Sequence, residues 1–197
     1  MAIKKYEEEF AGKPLKIEIG RLANLANGSV FVQYGNTAVL VTAVMSSGAK
    51  ANIDYMPLSV DYEERYYAAG KIKGSKWIKR EGRPSDEAIL SGRLIDRSLR
   101  PRFDHRIRND IQVIATVLSF DGQNDPDMPA LFGASLALMI SDIPFNGPVA
   151  GIRIGRIDGK LVMNPTYEER QKSDFDIVAA GTLNRINMIE AGASIVA

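Results

Sequence analysis

Residues 71–108 gather the side chains best suited to act on a charged partner. Lys71, Lys73, Lys76, Lys79, Arg80, Arg83, Arg93, Arg97, Arg100, Arg102, Arg106 and Arg108 lie there, twelve of the chain's 25 basic residues, against five acids. The remainder of the 197-residue chain is acidic on balance, so a formal net charge of +1 conceals strong segregation. A basic segment on a near-neutral protein points to a polyanion, because each phosphate neutralised releases condensed counterions. A solvated lysine surface would look similar, but eight of the twelve are arginines, whose planar fork suits phosphate better. Arg93, Arg97 and Arg100 follow i, i+4, i+7 spacing and share one face of a helix. They repel one another unless an anion lies between them or Asp86, Asp96 and Asp104 neutralise them. Just upstream, Trp77 stands among Lys76, Lys79 and Arg80. It can stack on a base while the cations meet phosphates, or tuck into a core or an interface.

A second constellation is acidic. Asp174 and Asp176 are two apart in a run that reads as a strand, which places both on one face, and Glu168 precedes them. Clustered carboxylates can hold Mg²⁺ or move protons, although two exposed acids on a strand are commoner. Other chemistries are excluded by composition. With no cysteine there is no disulfide, thiolate zinc site or cysteine nucleophile. The single histidine, His105, sits in the charged loop Phe103-Asp104-His105-Arg106, which reads as surface and not as part of a catalytic triad. The amino terminus is charged and no apolar run reaches spanning length, so a cytoplasmic protein with no membrane partner is expected.

The elements that must position these residues follow from periodicity. Residues 17–19, 29–34, 37–45 and 58–62 read as strands, the second and third joined at Tyr34-Gly35-Asn36. Residues 68–84 read as a basic loop with three glycines. Residues 85–99 read as a helix, with Pro84 before it, Asp86 and Glu87 in the first turn and Pro101 after its end. Residues 111–120 fit a buried strand and 129–140 a buried helix rich in Ala and Leu. Residues 151–163 suggest a hairpin turning at Asp158-Gly159, and 175–180 with 186–190 a last strand pair. The order predicts an α+β domain of mixed sheet. Residues 190–197 are small and apolar and read as the first turn of something that continues.

Gly20-Arg21-Leu22-Ala23, Tyr66-Tyr67-Ala68-Ala69-Gly70, Arg80-Glu81-Gly82-Arg83-Pro84-Ser85 and Arg93-Leu94-Ile95-Asp96-Arg97 occur in this order. Gln112-Val113-Ile114-Ala115-Thr116-Val117, Gly133-Ala134-Ser135 and Ile143-Pro144-Phe145-Asn146-Gly147-Pro148 follow. Together they resemble the bacterial polynucleotide phosphorylase family over essentially the whole chain, and in particular the first of that family's two ribonuclease-PH-like core domains. The resemblance implies a ribonuclease-PH-like mixed sheet packed on helices, with residues 1–197 forming one core domain at the amino-terminal end of a longer chain. It implies processive 3′-to-5′ phosphorolysis of single-stranded RNA by inorganic phosphate, a Mg²⁺ requirement, and a homotrimeric ring with a central channel. It also implies that this copy of the core is non-catalytic. Where active copies carry a phosphate-binding segment, this chain has Asn124-Asp125-Pro126-Asp127-Met128. Where they carry a lysine after the aspartate pair, it has Val178. No catalytic residue and no firmly held Mg²⁺ are therefore expected in this domain. Arg93 matches the phosphate-contacting arginine of ribonuclease PH. Trp77-Ile78-Lys79-Arg80 aligns with the channel constriction, with Ile78 for its second aromatic and Lys79 for its first arginine. The expected RNA-contact set is Trp77, Lys79, Arg80, Arg83, Arg93, Arg97 and Arg100. Two other readings compete: a self-standing, non-catalytic RNA-binding ring subunit of exosome type, and a distributive ribonuclease of the PH type, against which Asp125-Pro126-Asp127 speaks.

Overall fold

A computed structural model describes residues 3–72 and 82–193. Its first element is a hairpin of β1 (Lys4–Phe10) and β2 (Lys13–Ile19), turning through Ala11 and Gly12, both at positive φ. β3 (Gly28–Tyr34) and β4 (Thr37–Ala49) form the second hairpin, where Gly35 adopts the left-handed backbone that the Tyr34-Gly35-Asn36 turn calls for. β5 (Leu58–Glu63), α1 (Asp86–Leu99) and β6 (Asn109–Ser119) make a crossover unit. β5 pairs parallel to β6, which a short turn cannot achieve, and this lays α1 across the sheet. The resulting six-stranded sheet has the order β1-β2-β3-β4-β6-β5.

α2 (Asp127–Met139) leads to a second sheet built from β7 (Ala150–Ile157), β8 (Lys160–Met163), β9 (Phe175–Thr182) and β10 (Arg185–Ala193), in the order β10-β9-β7-β8. A short helix, α3 (Tyr167–Gln171), joins β8 to β9. The helices lie between the sheets: α2 packs on β3 and β4 on one side and on β7 on the other, while α1 lies on β5 and reaches β10.

Sequence pattern explains the layering. β3 alternates strictly, with Val30, Val32 and Tyr34 buried, and β6 does the same with Ile111, Val113, Ala115 and Val117. α1 is amphipathic and buries Leu94, Ile95 and Leu99. Ser85 caps it, its hydroxyl accepting from the Ala88 amide at 3.0 Å, so the helix proper starts one residue later than its sequence signal. α2 is apolar on nearly every side because both sheets cover it. Gly133 and Gly151 allow this: a Cβ on Gly133 would stand 2.7 Å from Val41 Cγ2, and one on Gly151 2.3 Å from Leu131 Cδ2.

Three sequence expectations need correction or supplement. β1 lies in a charged stretch with no strand signal, and α3 in a stretch read only for its acids. Asp174 precedes β9 and does not share a strand face with Asp176. His105 is exposed, as its charged loop suggested. Among the described residues no helix is long and apolar enough to cross a membrane. Residues 73–81 and 194–197 lie outside the described residues, and with them Trp77, Lys79 and Arg80.

Candidate functional site

A concave feature of the described residues lies where the amino-terminal end of α2 meets the second sheet. Its floor is a cluster of charges. In β7, Arg153 shares the inward face with Gly151 and Gly155, and it is buried. Arg153 Nη2 donates to Asp127 Oδ2 at 2.5 Å, and Nη1 to Asp176 Oδ2 at 2.7 Å. Arg170 of α3 completes the cluster, donating to Asp125 Oδ2 at 2.7 Å and Asp176 Oδ2 at 3.2 Å. The capping box of Thr166 and Glu169 fixes α3, with the Thr166 amide donating to Glu169 Oε2 at 2.7 Å.

Three carboxylates therefore face two guanidiniums, an excess of one negative charge in a buried place. Asp127 is 2% exposed, at the first position of α2. Burial and the nearby Asp125 push its carboxyl up to about 7, against the pull of Arg153. Burial also raises Tyr167, and Asp125 and Asp127 raise it further. Asp125 and Asp127 would repel a phosphate placed here. Among the described residues, the two guanidiniums lining the cavity are both paired with the chain's own carboxylates. Val178 is buried and lines the same cavity. Sequence reading missed Arg153 and Arg170; a lone arginine flanked by small residues in an alternating strand was the available signal for the first.

Asp174 and Asp176 do not act together. Asp176 turns inward to the cluster, whereas Asp174 forms a bidentate pair with Arg156 Nε at 3.0 and 2.9 Å on the outside. The same guanidinium lies 5.2 Å over the ring of Phe175. Glu168 has no place in either group. The residues present thus do not fit a divalent ion at this pair: Asp176 is held by Arg153 and Arg170, and Asp174 by Arg156.

The basic segment divides into structural and free arginines. Arg100 meets Asp96 bidentately at 2.9 and 2.6 Å and donates to the Leu58 carbonyl at 3.0 Å, tying α1 to β5. This leaves the proposed stripe short by one guanidinium. Arg102 donates to the Asn146 carbonyl, Arg106 pairs with Asp104, and Arg108 caps the carbonyls of Ile53 and His105. Arg106 holds Asp104 down to about 2. Arg83, Arg93 and Arg97 are exposed and have no ion pair or hydrogen bond with another described residue. Arg93 and Arg97 lie on the solvent face of α1, opposite Ile95 and Leu99.

The 3′ exoribonuclease family, domain 1, matches residues 11–144, and domain 2 of that family matches residues 147–196. The chain is 56% identical over 191 residues to a polyribonucleotide nucleotidyltransferase of Alkaliphilus oremlandii (strain OhILAs), covering 97% of this chain and 27% of that protein. It is 55% identical over 186 residues to one of Anoxybacillus flavithermus (strain DSM 21510 / WK1), covering 94% and 26%. The chain thus spans about a quarter of the length of these curated relatives. Among solved structures, an Archaeoglobus fulgidus exosome with RNA bound to the active site superposes with a TM-score of 0.70 at 17% identity, over 98% of this chain and 80% of that one. Rice (Oryza sativa) Rrp46 gives 0.70 at 13% identity, over 99% and 82%. At those identities the likeness is one of fold.

Proposed function

The chain belongs to the 3′ exoribonuclease (ribonuclease PH) family, and from that premise we propose that it is the non-catalytic amino-terminal core of a polyribonucleotide nucleotidyltransferase. The complete enzyme would degrade single-stranded RNA from its 3′ end in the cytoplasm. Phosphate attacks the terminal phosphodiester, the P–O bond to the preceding nucleotide breaks, and a nucleoside diphosphate leaves. Mg²⁺ would serve that reaction in another part of the enzyme, since Asp174 and Asp176 diverge here. The role of this core is to present cations to the RNA backbone and to build the wall of a homotrimeric ring.

One observation carries the reading. The cluster at the start of α2 closes Arg153 and Arg170 with Asp125, Asp127 and Asp176, while Arg93 and Arg97 stay open on the solvent face of α1. A site whose cations are satisfied internally does not seize phosphate, whereas free guanidiniums on a helix do. The exosome-type reading shares the fold, but sequence identity favours the nucleotidyltransferase, at 56% against 17%.

Fluorescence anisotropy with a short single-stranded RNA across a salt series tests this. Affinity should be modest and fall steeply with salt. Replacing Arg93 and Arg97 together by Ala should flatten the log–log salt slope by about 1.4, at ~0.7 per phosphate contact on a single strand. A slope unchanged in that variant removes α1 from the RNA path. The companion variants Lys79→Ala with Arg80→Ala, and Trp77→Ala, probe the loop before α1; the second should cost roughly 1–3 kcal/mol with little change of slope if the indole stacks on a base.

A further inference from the structure

β1 is the outermost strand of the six-stranded sheet and, among the described residues, pairs on one side only. Lys4–Phe10 runs in unbroken register with Lys13–Ile19, and the strand holds no bulge and no proline. An edge that is regular and open is a template for another strand. The turn sets which of its backbone groups are free. Ala11 and Gly12, both at positive φ, form a two-residue turn that makes Phe10 and Lys13 a hydrogen-bonded pair. Tyr6, Glu8 and Phe10 therefore direct their backbone groups at β2, while Lys5, Glu7 and Glu9 direct theirs outward. The Pro14 carbonyl, opposite Glu9, fits this phase: it turns away from β1 and accepts from the Gly35 amide at 3.0 Å.

Charges on an edge ordinarily repel a second copy. On β1 they are sorted by sign, with Lys4 and Lys5 before Tyr6 and Glu7, Glu8 and Glu9 after it. Two copies joined edge to edge by a two-fold axis run antiparallel, and opposed side chains share a face. With the axis at Tyr6, Lys5 faces Glu7 of the second copy and Lys4 faces Glu8, and symmetry repeats both. Moving the axis to Lys5, Glu7 or Glu8 sets that residue against its own like charge. The Tyr6 register also extends pairs already present, since Lys5 meets Glu18 and Glu7 meets Lys16 across the hairpin, each at 2.9 Å. Each becomes part of a row of alternating sign over four strands: Glu18 and Lys5, then Glu7 and Lys16 of the second copy. On the other face Tyr6, 52% exposed and opposite Ile17, meets its own copy as a non-hydrogen-bonded pair, the closer kind. Lys4 and Glu8 have no ion pair with another described residue, and this pairing supplies one to each.

We propose that the open edge of β1 is a homotypic docking strand, on which a second copy of this chain adds its own β1 antiparallel about Tyr6 and joins the two six-stranded sheets into one. A two-fold contact pairs chains and does not close a three-fold ring, so the inference stands apart from the ring of the proposed function.

Sedimentation equilibrium of the whole, untagged chain over a concentration series tests it. A monomer–dimer equilibrium is expected, tighter at low salt because the rows are ionic. Lys4→Glu alone sets an acid against Glu8 of the second copy, and Glu8→Lys alone sets a base against Lys4. Each should weaken dimerisation at least about tenfold, since symmetry counts every mismatch twice. Both side chains are exposed, so each variant should keep the thermal midpoint of the parent. An equimolar mixture of the two variants should recover a dimer, now a heterodimer, and Lys4→Glu combined with Glu8→Lys in one chain should recover the homodimer. A general loss of surface charge would produce neither recovery. Monomer alone up to about 1 mM would overturn the proposal. So would a dimer that both single variants retain, or single variants that fail separately and fail again when mixed. A trimer unchanged by either variant would also overturn it, while supporting the ring.

Discussion

At the scale of single residues, the decisive fact is where the guanidiniums end. Arg153 and Arg170 end on carboxylates of their own chain, Arg100 on Asp96 and backbone carbonyls, and Arg93 and Arg97 in solvent. Asp127 is the residue on which this arrangement can be measured. Its folded-state value stands at about 7, above the ordinary 3.8, because of burial and Asp125. A carboxyl raised in this way contributes stability that is fully present below its unfolded value and is lost as pH rises through its folded value. The window therefore runs from about pH 4 to about pH 7. Asp127→Asn keeps the shape of the neutral acid and cannot ionise. Urea unfolding at about pH 5 and about pH 8 should show the variant gaining on the parent by about 2 kcal/mol between the two. A difference that stays constant would mean that Asp127 is ionised throughout, held by Arg153.

At the scale of elements, the fold depends on α2 fitting between two sheets. Gly133 is the point of closest approach, its missing Cβ leaving room for Val41 Cγ2 at 2.7 Å and Val32 Cγ2 at 3.1 Å. Valine side chains in strands have little rotamer freedom to move aside. Gly133→Ala should therefore destabilise by about 1–3 kcal/mol, despite the gain in helix propensity of about 1 kcal/mol. Gly48→Ala on β4, where nothing stands within 4 Å, is the control and should be near neutral by the same chemical unfolding curves. The same scale shows what made elements legible. β3, β4, α1, α2 and the Asp158-Gly159 hairpin were readable because burial imposes a period on their residues. β1 was not, since every residue of Lys4–Phe10 is exposed, and it is held by backbone pairing with β2 and by surface ion pairs of Lys5 with Glu18 and Glu7 with Lys16. α3 has five residues and owes its place to a capping box, a signal that was present in Thr166 and Glu169 and was passed over.

At the scale of the molecule, the basic segment is only partly a surface for a polyanion. Several of its arginines knit loops together, through Asn146, Ile53 and Asp104, and fewer remain open than their number suggests. The concave site, meanwhile, is acidic, with Arg153 and Arg170 paired to carboxylates of the chain. The chain alone should therefore release little or no nucleoside diphosphate from poly(A) in the presence of phosphate and Mg²⁺. Turnover of ~1 s⁻¹ or more, the low end of ordinary enzyme rates, would contradict that.

The amino-acid sequence by itself determined the family, the α+β class and the segregation of charge, because motifs, periodicity and composition are properties of local order. It also marked Asn124 to Met128 as unlike a phosphate site. Only the tertiary structure decided which charges meet. Arg153 lies 26 residues from Asp127 along the chain, and Arg170 lies 45 from Asp125, yet each pair is in hydrogen-bond contact. Asp174 and Asp176 are near neighbours in sequence and face different arginines. The physical reason is that an ion pair is set by the direction in which two side chains leave their elements, and that direction is settled when a strand starts, a helix caps and two sheets close on α2.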